Sequence, residues 1–299
     1  MIDIESLEKS DEIVFGPFVG EFGWEVLKWS GFVRWFKEKH PDKKIIVSTR
    51  KTREDLYTNS TDYLELFELQ GDYIDYFPVH YDHPNLPEKM FKSINDVLKD
   101  KYPNAFFFEP RGYMSIGDLF SFENMNFNYT PKKSNFAVID SLSKEFPDRI
   151  PIVISSRIRK EEPRRNWGET NWKTLFKLLN NSRKFLVFVS GINQLYYRCN
   201  DSHTSFYNLE DYYKQELQTS VAGLTIAAIK SSKLTVGVKT ATITLSNLIG
   251  TQTLFSGENV IEDSRDNNIY NTKTTSIQDR GYISDPNVIF ENIISIATK

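Results

Sequence analysis

The chain has 299 residues, of which 39% are hydrophobic and 26% charged. That is ordinary globular composition, which excludes the disordered and fibrous classes, and the length suits two domains of about 150 residues each. The formal net charge of −3 supplies no global basic field for nucleic acid or an anionic membrane surface, and the single cysteine, Cys199, permits no disulfide within the chain, which fits a reducing compartment. Met1 to Glu12 has neither the cationic start nor the apolar stretch of a signal peptide, and no stretch approaches the roughly 20 apolar residues of a membrane span. A cytoplasmic protein without a transmembrane segment is therefore expected.

In chain order, a short strand from Glu12 to Phe15 is followed by a loop punctuated by Gly16, Pro17, Gly20 and Gly23. From Trp24 to His40 the spacing of Val26, Leu27, Phe32, Val33 and Phe36 predicts a helix, which Pro41 stops. Lys44 to Ser48 reads as the next strand, which completes a strand, glycine loop, helix, strand unit and favours a parallel sheet. Strands are expected at Tyr73 to Val79 and Asn104 to Glu109, and helices at Pro87 to Lys101 and Ser134 to Phe146, with a linker at Pro147 to Pro151. Gly112 to Pro131 is aromatic and irregular and carries no assignment.

The second half alternates more regularly. Strands are expected at Pro151 to Ser155, Lys184 to Ser190, Lys233 to Val238 and Thr253 to Phe255. Helices are expected from Thr170, as cap, to Asn180, with Trp172, Leu175, Phe176 and Leu179 on one face, and at Ser220 to Ser231, Ala241 to Ile249 and Pro286 to Thr298. The fold class is therefore α/β with two Rossmann-like domains, 1–148 and 149–299. The terminal helix belongs to the second domain or packs back on the first.

Three segments carry candidate chemistry. In the loop Gly16 to Glu25 the glycines allow a tight turn and close approach of a ligand, and Gly20 and Gly23 flank Glu21. The spacing is not the dinucleotide fingerprint, so NAD is weakly supported and no cofactor is expected. Glu21 and Glu25 are both candidate catalytic carboxylates; Glu25 is equally explained by the positive end of the helix it begins. The second segment, Ser155 to Trp167, follows a strand and holds five cations, Arg157, Arg159, Lys160, Arg164 and Arg165, beside Glu161 and Glu162. Arginine forks match phosphate oxygens, against the plainer reading of a solvated charged loop. The third, Val236 to Ser246, places Lys239, Thr240, Ala241 and Thr242 between a strand and a helix, where free backbone N–H groups make an anion site or Thr240 is simply a cap. His80 and His83 are too few for a closed metal site and read as surface residues; His203 and the run Asn208 to Asp211 are placed near a nucleoside, with Glu210 either on ribose hydroxyls or a helix cap.

These motifs together resemble the heptosyltransferase-type glycosyltransferases of GT-B fold. The match runs through Gly20-Glu21-Phe22-Gly23-Trp24-Glu25, then Arg165-Asn166-Trp167-Gly168-Glu169-Thr170-Asn171-Trp172, then Ala227 to Ser232, and is best from Leu234 to Gly257: Val236-Gly237-Val238-Lys239-Thr240-Ala241-Thr242, Leu245, Gly250-Thr251 and Phe255. Where the family has Gly-Asp in the first loop this chain has Gly20-Glu21, and where the family has Gly-Pro before the anion-binding helix it has Ala241-Thr242. The resemblance implies an inverting, metal-independent transfer from a nucleotide-sugar donor. The first domain would take the acceptor and the second the donor, with Glu21 facing Thr240 to Thr242 across a cleft near residues 147–151. Glu21 would act as base, and the arginines and helix N–H groups would hold the diphosphate. The acceptor, whether a glycan, a lipid-linked sugar, a protein or a modified nucleic-acid base, is not specified. A nucleotide-sugar epimerase of the same architecture and a non-catalytic nucleotide-sugar-binding module are the alternatives.

Overall fold

The computed structural model describes residues 4–20, 22–68, 85–110, 125–158, 166–191, 196–200, 204–257, 274–278 and 284–299. By its internal contacts the chain divides into two compact units, Met1–Thr130 and Pro131–Lys299.

The first unit begins with helix α1 (Ile4–Lys9) and strand β1 (Glu12–Phe15), whose Ile13, Val14 and Phe15 are wholly buried. After the glycine loop come a short helical turn α2 (Phe22–Trp24), a π turn (Glu25–Trp29) and helix α3 (Ser30–Lys39). Strand β2 (Lys44–Arg50), a 3-10 turn (Lys51–Leu56), strand β3 (Tyr63–Phe67), helix α4 (Asn85–Lys101) and strand β4 (Phe106–Phe108) follow. The strands are all parallel, in the order β3-β2-β1-β4. Phe15 sits at the centre of an aromatic core, with ring centroids 5.5 Å from both Phe36 and Phe108 and 6.1 Å from both Trp29 and Phe32.

The sequence predicts one unbroken helix over Trp24 to His40, and here the chain differs. At the π turn the Ser30 N–H reaches back five residues to the Glu25 carbonyl. The wider turn brings Glu25, Val26 and Trp29 all inside and leaves the Val26 carbonyl to accept from the Tyr129 hydroxyl at 2.9 Å. Leu27, expected on the apolar face, is only half-buried for the same reason. Strand β3 was not expected: it is the edge strand, Tyr63 and Leu66 are exposed, and no apolar run marks it. The strand expected at Tyr73 to Val79 lies outside the described residues, as does most of the segment left unassigned.

The second unit contains helix α5 (Lys133–Lys144), strand β5 (Ile150–Ser155), helix α6 (Glu169–Ser182), strands β6 (Phe185–Val189) and β7 (Phe206–Asn208), helix α7 (Val221–Lys230), strand β8 (Leu234–Gly237), helix α8 (Ala241–Ile249), strands β9 (Thr253–Gly257) and β10 (Thr274–Gln278), and helix α9 (Pro286–Ala297). Its parallel sheet has the order β10-β9-β8-β5-β6-β7. The apolar run Ile152, Val153 and Ile154 is fully buried because helices cover both faces of such a sheet. Helix α7 is buried from Val221 to Ile229 and packs on α5 and α8, so α5, counted with the first half by sequence, lies in the second unit. Helix α9 packs on α6 and β8.

Trp172, Leu175, Phe176 and Leu179 form the buried face of α6, as their spacing predicts. Thr170 is not its cap, however: the helix starts one residue earlier, after Gly168 at φ +92°. Strands β7 and β10, neither expected, are the two edges of the sheet, where burial on one side only weakens the apolar signal.

Candidate functional site

In the first unit the glycine loop remains tied to both neighbouring strands. The Gly16 N–H donates to Phe108 O and the Phe18 N–H to Ser48 O, each at 3.0 Å. Gly16 has φ +116°, and a β-carbon there would lie 2.5 Å from Ser48 O, so only glycine fits this approach. Gly20 is buried and Gly23 half-buried within α2; Glu21 lies outside the described residues.

Glu25 is fully buried and answered by three donors: Thr49 Oγ1 and Tyr57 Oη, each 2.7 Å from Oε1, and Arg53 Nη1, 2.5 Å from Oε2. Arg53 also donates to Gly20 O at 2.9 Å, and Arg50 Nη2 to Val19 O at 2.8 Å. Burial, with the Glu25 carboxylate beside it, pushes the Tyr57 hydroxyl well above the ordinary phenol range, so Tyr57 is a permanent donor. These partners were not legible around Glu25, because they lie 24, 28 and 32 residues away and meet it only through β2 and the 3-10 turn.

In the second unit, parallel strands put every strand's carboxyl end on one edge of the sheet, the usual ligand edge of open α/β sheets. There Ser155 Oγ, at the end of β5, lies 2.9 Å from Thr240 Oγ1. Ser190, just past β6, lies 3.1 Å from Thr242 Oγ1 and 3.3 Å from Thr225 Oγ1. Thr240 caps α8 by accepting from the Ile243 N–H. Gly237 makes the approach possible: a β-carbon on it would meet Ser155 and Ile243 at 3.1 Å. The first turn of α8 therefore presents backbone N–H groups, with Lys239, Thr240 and Ala241 half-exposed and Thr242 buried. Such a turn is chemically suited to an anion. Ser190 and Thr225 are members of this hydroxyl cluster that the sequence pattern did not single out; the one available signal was a small hydroxyl residue closing an apolar strand.

Of the cationic segment, Arg157 is described and buried, at 4% exposure, and its backbone pairs antiparallel with Tyr196. Arg159, Lys160 and Arg165 lie outside the described residues, as do His80, His83 and His203. The two tryptophans of the motif are structural: Trp172 Nε1 donates to Arg157 O at 3.2 Å, Trp167 Nε1 to Ser284 O at 2.8 Å, and their rings meet edge to face at 4.7 Å.

Glu210 follows β7 on the same carboxyl edge. It accepts from Arg198 at 2.7 Å and from the Tyr196 hydroxyl at 3.1 Å, and Arg198 also pairs with Asp211. Burial and the Glu210 carboxylate raise the Tyr196 phenol, and burial with Asp211 raises the Cys199 thiol to about 11. Among the described residues no cluster of three or more His, Cys, Asp or Glu side chains is arranged to hold a metal ion, and no helix is long and apolar enough to cross a membrane.

No family model matches the chain, and no curated protein matches it by sequence. Solved structures do match. The ADP-heptose LPS heptosyltransferase II of E. coli is similar at a TM-score of 0.58 and 12% identity, over 96% of this chain and 98% of that one. A glycosyl transferase of family 9 from Veillonella parvula is similar at a TM-score of 0.55 and 9% identity, over 97% of both chains. At such identities the likeness concerns the fold alone: this α/β chain, with its two parallel sheets, has the Rossmann-like GT-B architecture of the heptosyltransferase-type glycosyltransferases.

Proposed function

We propose that the protein is a glycosyltransferase that moves a sugar from a nucleotide-sugar donor to an acceptor hydroxyl, with inversion and without a metal. The observation that carries this reading is the hydroxyl-lined first turn of α8, where Ser155 meets Thr240 and Ser190 meets Thr242 at the carboxyl edge of a sheet of this fold. Oriented N–H groups at a helix start stabilise a diphosphate as negative charge develops on it. Thr240, Ala241, Thr242 and Lys239 would take the diphosphate together with Arg157, Arg159, Lys160 and Arg165, and Glu210 would accept from ribose hydroxyls. Glu21 would remove the proton of the acceptor hydroxyl as its oxygen attacks the sugar carbon. The bond from that carbon to the phosphate oxygen breaks, and its electron pair leaves with the diphosphate.

The test is a panel of ADP-glucose, ADP-heptose, GDP-mannose and UDP-glucose, read first by thermal shift and then, with a mixture of glycan, lipid-linked sugar and protein acceptors added, by release of nucleoside diphosphate. A shift with one base, followed by nucleoside diphosphate release, is the expected result. Conversion of the sugar with the nucleotide still attached would make the protein an epimerase, and a shift without any product would make it a binding module.

A further inference from the structure

Two buried arginines of the first unit end on carbonyls of the glycine loop. Arg53 Nη1 bridges Gly20 O, at 2.9 Å, and Glu25 Oε2, at 2.5 Å, while Arg50 Nη2 meets Val19 O at 2.8 Å. Arg53 is 2% exposed and Glu25 not at all. Both Glu25 oxygens are occupied by donors, and no solvent reaches them to carry a proton away. For stability alone, an apolar pair of the same volume serves a buried position as well or better than an ion pair. What the ion pair adds is direction: Glu25 holds the Arg53 guanidinium, and the same Nη1 that meets Glu25 holds the Gly20 carbonyl.

We infer that Glu25 and Arg53 are positioning residues, which hold the loop backbone at Gly20, next to the proposed base, and that Glu25 does not itself accept the proton. The catalytic half of this inference rests on the reading of Glu21 as base; the backbone half does not. A displacement of about 1 Å in a reacting group is enough to cost on the order of a hundredfold in rate.

Two measurements on Glu25→Gln and Arg53→Lys test it, beside Glu21→Gln. The first is hydrogen exchange of the amides over residues 18–24. Exchange about tenfold faster in either variant supports the inference, and exchange equal to wild type in both overturns it. The second is the pH dependence of nucleoside diphosphate release from whichever panel donor turns over. Expected for Glu25→Gln is a kcat lower by about 10- to 100-fold, a donor KM within about twofold, and an acidic limb that persists, since a positioning residue need not titrate. Loss of that limb in Glu25→Gln would make Glu25 the base and overturn the inference. A limb that survives both Glu21→Gln and Glu25→Gln defeats the reading of Glu21 instead, with the exchange result then standing alone. If Glu25→Gln does not fold, Arg53→Lys, which keeps the charge but not the planar guanidinium that fixes its N–H directions, decides by the exchange readout.

Discussion

A carboxylate taken out of water needs donors for its lone pairs, and Glu25 has three of them within 2.7 Å. Removing one partner of the buried pair leaves the other charge uncompensated. Glu25→Ala and Arg53→Ala should therefore each lower stability by about 3–5 kcal/mol in urea titrations, well beyond an ordinary surface change. For Glu21→Gln the readout is turnover. Donor affinity, measured by calorimetry, should be nearly unchanged, while turnover falls by roughly 100- to 10,000-fold if general-base assistance is lost. Cys199 offers a check on the charge cluster after β7. Burial and Asp211 raise its thiol to about 11, so the folded chain keeps the proton longer than the unfolded one. The stabilisation is complete below the unfolded thiol value near 8.5 and is lost as pH rises toward 11. Iodoacetamide at pH 8 should accordingly label native Cys199 at least about tenfold more slowly than the denatured chain; equal rates would mean that the thiol is not buried in solution.

At the scale of elements, legibility followed burial and local chemistry. Helix α8 has the bounds its pattern predicts, because Thr240 before it and Gly250 after it, in the left-handed conformation, are both local stop signals. Strands β5 and β6 were legible because a strand covered on both faces reads as a nearly unbroken apolar run. Edge strands β3, β7 and β10 lack that run. The π turn was not legible either, since its cause is the fit of Glu25 among Thr49, Arg53 and Tyr57 rather than anything in residues 25–29. Two substitutions test the joints. Ser220 caps α7 by accepting from the Gly223 N–H at 2.9 Å, so Ser220→Ala should cost about 1 kcal/mol by denaturant titration. Gly16→Ala combines a positive φ with a 2.5 Å approach to Ser48 O and should cost more, about 1–3 kcal/mol from the conformation alone.

At the scale of the whole molecule, ligand linkage is the most direct readout, since a donor bound at 100 times its dissociation constant adds about 2.7 kcal/mol to stability. That thermal shift, and the release of nucleoside diphosphate, should both survive EDTA; loss on chelation with recovery on adding Mg²⁺ would place a metal in the mechanism. The alternation of strands and helices, the parallel sheets it entails, the glycine loop and the hydroxyl-rich start of α8 all came from the sequence alone, because periodicity and turn residues are properties of neighbours along the chain. That Glu25 is enclosed, that α5 packs on α7, and that Ser155 and Ser190 meet the threonines of α8 were decided only by tertiary structure. Each of those depends on groups tens of residues apart, whose burial and hydrogen bonding are set by where the strands end, not by what stands beside them in sequence.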